Sequence, residues 1–191
     1  ADQTRHYLII FMTNAELRGA GGFIGSYAEL EATDGSVELT QSGSIKDLVN
    51  KRKPGERTLD GPADYVRRYG RLKPWDFLQD VTISPDFPSD ADVMAQLYPQ
   101  SGGNKVDGVI GVDPAGLASL LELTGPVTVE GLDEPLTAEN AVHILTKRQY
   151  LDFSKNEDSR KELLEAATRE TFKKLTKASL PAPRKLGDVL G

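Results

Sequence analysis

The chain has 191 residues, and its 29 acidic residues outnumber 23 basic ones for a net charge of −6. This length suits one globular domain with a sizeable core, and the acidic balance opposes binding to nucleic acid. The lack of cysteine excludes disulfides and thiolate chemistry, two isolated histidines argue against a zinc site, and no apolar run reaches the roughly 18 residues of a membrane helix.

Two apolar runs near the start, Tyr7–Phe11 and Phe23–Leu30, predict neighbouring strands. Asn14, Glu16 and Arg18 lie between them, on a segment that continues into several glycines. Glycine allows positive φ and lets a second backbone or a ligand approach closely. The segment is therefore a candidate site, and the alternative is a wide turn with a surface ion pair.

The next segment predicts a third strand and a short helix. Asp34-Gly35 marks a tight turn into a strand over Ser36–Thr40, which completes a three-stranded meander. A short helix is predicted over Ser44–Val49. Five prolines between residues 51 and 90 then disfavour long regular structure.

Within this proline-rich stretch, helical spacing of apolar residues predicts one helix near residues 63–69. Trp75 and Phe77 are expected to anchor the stretch to the core. A further helix is predicted from Ser89, acting as its N-cap, to a stop at Pro99 and Gly102-Gly103. Its buried face is expected to comprise Val93, Met94, Leu97 and Tyr98.

A strand over Val106–Val112 is followed by a clear helix start. Asp113 is a favourable N-cap, and Pro114 suits the first helical position because its missing N–H costs nothing there. The apolar stripe of this helix ends at Gly125-Pro126, and Val127–Val129 predicts one more strand.

Two helices complete the pattern. One is predicted over Thr137–Gln149, and Ser159-x-x-Glu162 has the form of a capping box that opens the last one. Strands with intervening and terminal helices predict a layered α/β fold with a mixed central sheet flanked by helices. We interpret residues 1–191 as one such domain and expect it to be a fragment of a longer protein.

Three strings of the sequence resemble the motifs of a bacterial family known as domain of unknown function 4012. The first is Asn14-Ala15-Glu16-Leu17-Arg18 followed by Gly21–Gly25, the second is Ser84–Pro88, and the third is Val106–Pro114. Their order also matches that family. The family name by itself implies no chemistry.

The sequence is more distantly similar to the LytR-CpsA-Psr cell-envelope proteins. A strand that ends in Asp113, an apolar helix and Gly125-x-Val127-x-Val129 follow their pattern, and Arg148, then Asp158 to Arg160, stand where those proteins carry an Arg-rich segment. This resemblance implies an extracytoplasmic domain, with any membrane anchor outside the fragment. It also implies binding of a polyprenyl-phosphate-linked glycan and its transfer to the cell wall, usually with Mg²⁺.

The resemblances imply a set of site residues. A pyrophosphate is bound well by guanidinium groups, which offer paired and directional hydrogen bonds. The implied ligand-binding residues are Arg18, Arg148, Arg160, Asn14 and Glu16, and the implied Mg²⁺ ligands are Asp86 and Asp158. For each, the alternative is an ordinary salt bridge, turn or helix cap.

Two departures from the envelope proteins favour another function. The first strand lacks the expected aspartate, because Arg5 is followed by His6, Tyr7 and Leu8, and Ser44–Asp47 echoes only loosely the expected Pro-Arg-Asp element. No catalytic residue is therefore assigned, and a LytR-CpsA-Psr-like phosphotransferase is one of two hypotheses. The other is a noncatalytic scaffold or protein-interaction module of the envelope.

Overall fold

A four-stranded mixed sheet organises the chain, with helices on both faces. The computed structural model describes residues 4–34, 36–152 and 157–177, except for the side chains of 157–161 and 177. Its elements are β1 (Arg5–Thr13), β2 (Phe23–Thr33), β3 (Ser36–Ser44), α1 (Ile45–Asn50), α2 (Ala63–Tyr69), 3₁₀ segments Gly70–Leu72 and Leu78–Ile83, α3 (Phe87–Gln100), β4 (Gly108–Val112), α4 (Pro114–Thr124), α5 (Ala138–His143), a π-helical segment Ile144–Arg148, α6 (Gln149–Asp152) and α7 (Glu157–Lys177).

The strands are ordered β3-β2-β1-β4. β1, β2 and β3 form the predicted antiparallel meander, whereas β4 pairs with β1 in parallel, with Ile9 opposite Ile110. β2 follows β1 after the loop Asn14–Gly22 and β3 follows β2 after two residues, while the parallel pair needs the long crossover that contains α1 to α3. The predicted mixed sheet is therefore confirmed.

β1 is buried on both faces. Leu8 and Ile10 point into a core with α1, α2, α3 and the segment Leu78–Ile83, which we call the α3 face. Ile9 and Phe11 point into a second core with α4, α5, the π-helical segment and α7, which we call the α7 face. Strands alternate their side chains, so one continuous apolar run supplies both cores. The predicted layered α/β architecture is confirmed.

Three details of the central part differ from prediction. The N-cap of α3 is Asp86 rather than Ser89, whose amide donates to the Asp86 carboxylate at 3.3 Å. Pro99 lies inside the last turn of α3 instead of stopping it. Phe77 is 48% exposed, so the expectation that it anchors the proline-rich stretch was wrong, although the partly buried Trp75 does pack on the α3 face.

The second half also differs in places. Asp113 and Pro114 start α4 as predicted, with the Gly116 amide donating to Asp113 at 2.8 Å. Val127–Val129 is not a strand, because only Val127 forms an isolated bridge. The predicted helix from Thr137 is interrupted by the π-helical segment. α7 begins at Glu157, so Ser159 lies within it rather than at its N-cap, and the Ser159 side chain is outside the described residues.

A buried carboxylate, Glu29, ties the sheet to α3. Its oxygens accept hydrogen bonds from the Tyr98 hydroxyl at 2.7 Å, from the Asn104 side-chain amide at 2.6 Å and from His6 Nδ1 at 3.2 Å. Burial raises the pKa of Glu29, but the hydrogen bonds from Asn104, Tyr98 and His6 outweigh it and hold that pKa below its usual value.

A second buried acid, Asp90 in the first turn of α3, lies in the opposite situation. It is fully buried, and neither carboxyl oxygen accepts a hydrogen bond of good geometry from the described residues. Burial and the neighbouring Asp86 carboxylate raise the pKa of Asp90 to about 8, and the nearby Ser84 amide opposes this only in part. Asp90 is therefore mainly neutral at pH 7.

Among the described residues, no helix is both long enough and apolar enough to cross a membrane.

We predict that Glu29→Gln lowers the free energy of unfolding at pH 7 by about 2 kcal/mol, since hydrogen bonds to a buried charge are lost. Because the pKa of Glu29 is lower in the folded protein, the ionised carboxylate stabilises the folded state at pH values above the unfolded pKa of about 4.3. This stabilisation is lost as the pH falls through the folded-state pKa. The gap to the wild-type protein should therefore close in acid. Urea unfolding across this pH range measures it, with exposed Glu122→Gln as control; a constant gap would contradict the account.

Asp90→Asn should have the opposite pH dependence. A raised folded-state pKa means that the wild-type protein loses stability as pH rises from about 4 to about 8, because the unfolded chain ionises first. The amide variant should thus be more stable at pH 8, by up to about 5 kcal/mol, and nearly unchanged at pH 4. Thermal unfolding at both pH values tests this, with the exposed neighbour Asp92→Asn as control. A destabilised variant at pH 8 would refute it.

Candidate functional site

The carboxyl ends of β1 and β4 lie at one edge of the sheet because the two strands are parallel. In open α/β sheets, ligands bind in the crevice outside the carboxyl ends of the strands. We call this region the carboxyl edge. It comprises the loop Asn14–Gly22 after β1, Asp113 and Pro114 after β4, and the segments that pack against them.

The loop Asn14–Gly22 is held by its backbone. The Glu16 amide donates to the Thr13 carbonyl at 3.2 Å, and the Phe23 amide donates to the Glu16 carbonyl at 2.9 Å. A Cβ at Gly22 would clash with the Thr13 carbonyl, so glycine is needed where the loop crosses back over β1. The loop is thus an ordered structure rather than a loose turn.

The three motif strings meet at the carboxyl edge. A Cβ at Gly19, in the loop after β1, would clash with the backbone at Ile83, so the loop lies directly against the start of the second string. In the third string, a Cβ at Gly111 would come within 2.8 Å of both Met12 and Phe87. Strings that are far apart in sequence therefore form one packed region around the ends of β1 and β4.

A narrow apolar slot opens between the sheet and the helices of the α7 face at this edge. It contains ≈ 160 Å³ of atom-free space but is too narrow to admit a water molecule. Its lining combines apolar side chains from the sheet, α4, the π-helical segment and α7 with one acid: Phe11, Met12, Val112, Asp113, Pro114, Leu117, Leu145 and Leu164.

Two buried polar groups accompany the slot. Thr13 is 4% exposed and follows Phe11 by two residues on the same face of β1, and its hydroxyl has no hydrogen-bond partner among the described residues. Gln149 is 3% exposed, and its side-chain amide donates to the carbonyl of Leu145, which lines the slot. Its Oε1 has no partner among the described residues. Unpartnered buried polar groups are uncommon and call for an explanation.

Arg18 belongs to the loop after β1 and is partly buried. Its Nε and a terminal nitrogen bind Asp80 at 2.7 and 2.6 Å, and its other terminal nitrogen donates to the Leu17 carbonyl at 2.8 Å. The guanidinium also lies 5.4 Å from the centre of the Phe23 ring. Asp80 lies in the segment Leu78–Ile83, so Arg18 is held from the α3 face.

Arg148 ends the π-helical segment and is held from the α7 face. It pairs with Glu134 and, at 3.0 Å from Nε, with Asp152. Hydrogen bonds to these two carboxylates raise the pKa of Arg148 further. π-Helical turns occur frequently at functional sites. The structure thus places Arg18 and Arg148 on segments of opposite faces, each with its own carboxylates, rather than at one shared point.

Glu16 joins the two sides of the carboxyl edge. Its carboxylate accepts a hydrogen bond from the Tyr150 hydroxyl at 3.0 Å, which connects the loop after β1 to α6. Asn14, in the same loop, is exposed. Of the predicted ligand residues, Asn14, Glu16 and Arg18 therefore share one loop, and Glu16 reaches the segment that follows Arg148.

The two predicted Mg²⁺ ligands and the third arginine are in different situations. Asp86 caps α3 and is exposed. The side chains of Asp158 and Arg160 lie outside the described residues, although the backbone there belongs to α7. In the part of the chain that the structure describes, no group of three acidic or histidine side chains is placed to hold a metal ion.

No pattern of the sequence predicted that Thr13, Gln149, Tyr150 and the slot are parts of the site. Thr13 ends an apolar run and Gln149 follows an apolar helical pattern, so each gave a weak sign of burial. Nothing local indicated that Leu145 and Leu164 would line one space with Phe11, because that contact depends on how the helices pack.

A wider cleft with ≈ 850 Å³ of atom-free space lies against α7, lined largely by charged residues that include Glu130, Glu162, Glu165 and Arg169. Arg169 already pairs with Glu165 at 3.4 Å. None of the three motif strings contributes to this cleft. We therefore place the candidate site at the carboxyl edge, where the motifs, the slot and the buried polar groups coincide.

Comparison with known proteins gives a family but no described activity. No curated protein and no solved structure matches the chain. A family model described as a protein of unknown function, DUF4012, matches residues 2–150. That range includes the whole sheet and all three motif strings, and the chain therefore belongs to the DUF4012 family.

Proposed function

We propose that this domain binds an anionic polyprenyl-phosphate-linked glycan of the cell envelope at the carboxyl edge. The observation that carries the proposal is the dry apolar slot beside buried, unpartnered polar groups, at the edge where α/β sheets bind ligands. The prenyl chain would enter the slot, and the phosphate groups would remain at its rim. We propose an extracytoplasmic location as well, which the sequence resemblance to LytR-CpsA-Psr proteins supports.

The slot suits a hydrocarbon chain better than a polar ligand. All but one of its lining residues are apolar, and a gap too narrow for water leaves its walls without contact partners, which a chain would supply. Leu145 and Leu164 must move apart for a chain to enter, because the gap is narrow. The unpartnered oxygens of Thr13 and Gln149 are then available to polar atoms near the head of the ligand.

Arg18 and Arg148 supply the head-group contacts in this proposal, and because they do not meet at one point, the segments that carry them must come closer together when the ligand binds. A guanidinium has five N–H donors. Within the described residues, Arg148 uses two of them and Arg18 uses three, so both retain donors for a phosphate oxygen. A pyrophosphate would compete with Asp80 and Glu134 for these partly exposed groups, and such exposed pairs are weak.

The proposal concerns binding. Transfer of the phosphoglycosyl group to the cell wall, which the LytR-CpsA-Psr similarity implies, would use Mg²⁺. Asp86 is the implied ligand that the structure describes, and it stands alone as an exposed helix cap. We therefore assign no residue to a transfer step.

A noncatalytic scaffold or protein-interaction module is the second candidate function. Two features favour it: the slot is too narrow for water, and both arginines already have carboxylate partners. Both features are expected at an edge of the sheet that only stabilises the fold and binds no ligand. The two functions differ in one measurable property, since a scaffold has no affinity for a prenyl pyrophosphate.

Geranylgeranyl pyrophosphate should bind the protein, and inorganic pyrophosphate should bind at least about tenfold more weakly because it lacks the chain. Arg18→Ala and Arg148→Ala should each weaken geranylgeranyl pyrophosphate binding about tenfold, the value of one charge-assisted hydrogen bond. Isothermal titration calorimetry measures these affinities. Lysine at either position should recover part of the loss, because it keeps the charge without the fork.

Arg67→Ala is the matched control. Arg67 also pairs with an aspartate, Asp64 at 2.7 Å, but it lies on α2. Its replacement should leave the affinity unchanged, and unfolding curves should confirm that all variants are folded. No binding by the wild-type protein, or equal binding by all arginine variants, would reject the proposed site and favour the scaffold.

A further inference from the structure

We infer that Leu17 and Leu151 insert into the surface of a lipid bilayer and hold the carboxyl edge against it. They are 77% and 68% exposed, more than any other large apolar side chain among the described residues. Single exposed leucines are common on proteins. The inference therefore depends on where these two lie and on how firmly they are held.

The two leucines lie at the same edge. Leu17 directly follows Glu16 and Leu151 directly follows Tyr150, and Glu16 and Tyr150 are joined by a hydrogen bond of 3.0 Å. Segments more than 130 residues apart in sequence thus each present a leucine beside one contact. The slot belongs to the same edge, since its lining includes Phe11 and Met12, near the end of β1 and before the loop, and Leu145 of the π-helical segment that precedes α6.

The exposure of Leu17 is not a result of a loose loop. Its carbonyl accepts a hydrogen bond from Arg18, and the preceding residue, Glu16, is fixed by backbone bonds to Thr13 and Phe23. Because the loop is ordered, the apolar side chain of Leu17 stays exposed to water, which is unfavourable in free energy. Insertion into the interfacial region of a bilayer removes that cost, as it does for amphipathic membrane-surface segments.

Charge at this edge is close to balanced. Arg18 pairs with Asp80, Arg148 pairs with Glu134 and Asp152, and the exposed Lys147 adds one positive charge. The edge therefore offers no strong field to anionic lipids. The leucines must supply the attraction, which makes binding to neutral and anionic vesicles similar and only weakly dependent on salt.

This inference rests on the proposed function. A polyprenyl-linked substrate resides in a bilayer, so a slot for its chain must face that bilayer when the chain enters. Two leucines on either side of the Glu16–Tyr150 contact would place the rim of the slot at the membrane surface. The prenyl chain of the ligand would then pass from the bilayer into the slot without entering bulk water.

Flotation with phosphatidylcholine vesicles, with and without phosphatidylglycerol, tests the inference. The wild-type protein should partition onto both, Leu17→Ser and Leu151→Ser should each reduce the partition coefficient about threefold to tenfold, and the double variant should lose at least about tenfold. Leu72→Ser is the control, because Leu72 is 46% exposed but lies in the 3₁₀ segment after α2. It should partition like the wild-type protein.

Binding of geranylgeranyl pyrophosphate in the absence of vesicles separates this inference from the proposed function. The double leucine variant should bind it normally. Vesicle binding that depends on the leucines without any ligand binding would reject the proposed function and keep the membrane contact. Equal partition of the wild-type and double variants, or leucine-dependent self-association without vesicles, would overturn the inference.

Discussion

The parallel pairing of β1 with β4 is the constraint on which the rest of the structure depends. Because β4 runs parallel to β1, the chain reaches it only through a long crossover, which packs α1 to α3 on one face of the sheet. β1 is buried on both faces. α4 then leaves from the carboxyl end of β4 and covers the other face. One edge consequently collects both strand ends, the glycine-rich loop and the start of α4, and the slot forms there.

Some buried polar groups of the domain use all their hydrogen-bonding capacity within the fold, and others keep part of it for a ligand. Glu29 is fully buried and saturated with donors, so it fixes the sheet to α3 and has no remaining capacity for a ligand. Thr13 and Gln149 are nearly as inaccessible, but each keeps an oxygen that has no hydrogen-bond partner among the described residues. Each is next to a residue that lines the slot, because Gln149 donates to the Leu145 carbonyl and Thr13 follows Phe11 by two residues. Asp90, also unpartnered, avoids the cost of a buried charge by holding its proton. The contrast separates residues that build the fold from residues that could meet a ligand.

Local chemistry predicted much of the fold and little of the site. Apolar periodicity identified β1 and β2, and the Asp113-Pro114 pair identified the start of α4, because both signals lie within a few residues. Asp and Ser are both favourable N-caps, so residue type alone did not distinguish Asp86 from Ser89 as the N-cap of α3. The Asp80 partner of Arg18 is 62 residues away and the Glu134 partner of Arg148 is 14 residues away, so no local pattern could predict these two pairs. The second partner of Arg148, Asp152, has the i,i+4 spacing that local reasoning can reach.

Amide chemical-shift changes on titration with geranylgeranyl pyrophosphate test most directly whether the carboxyl edge is the ligand site. The account predicts that the largest changes fall in three separate stretches, residues 13–22, 112–117 and 144–150, which meet only in the folded structure. Changes confined to the cleft around Glu130 and Arg169, or spread evenly over the surface, would contradict it.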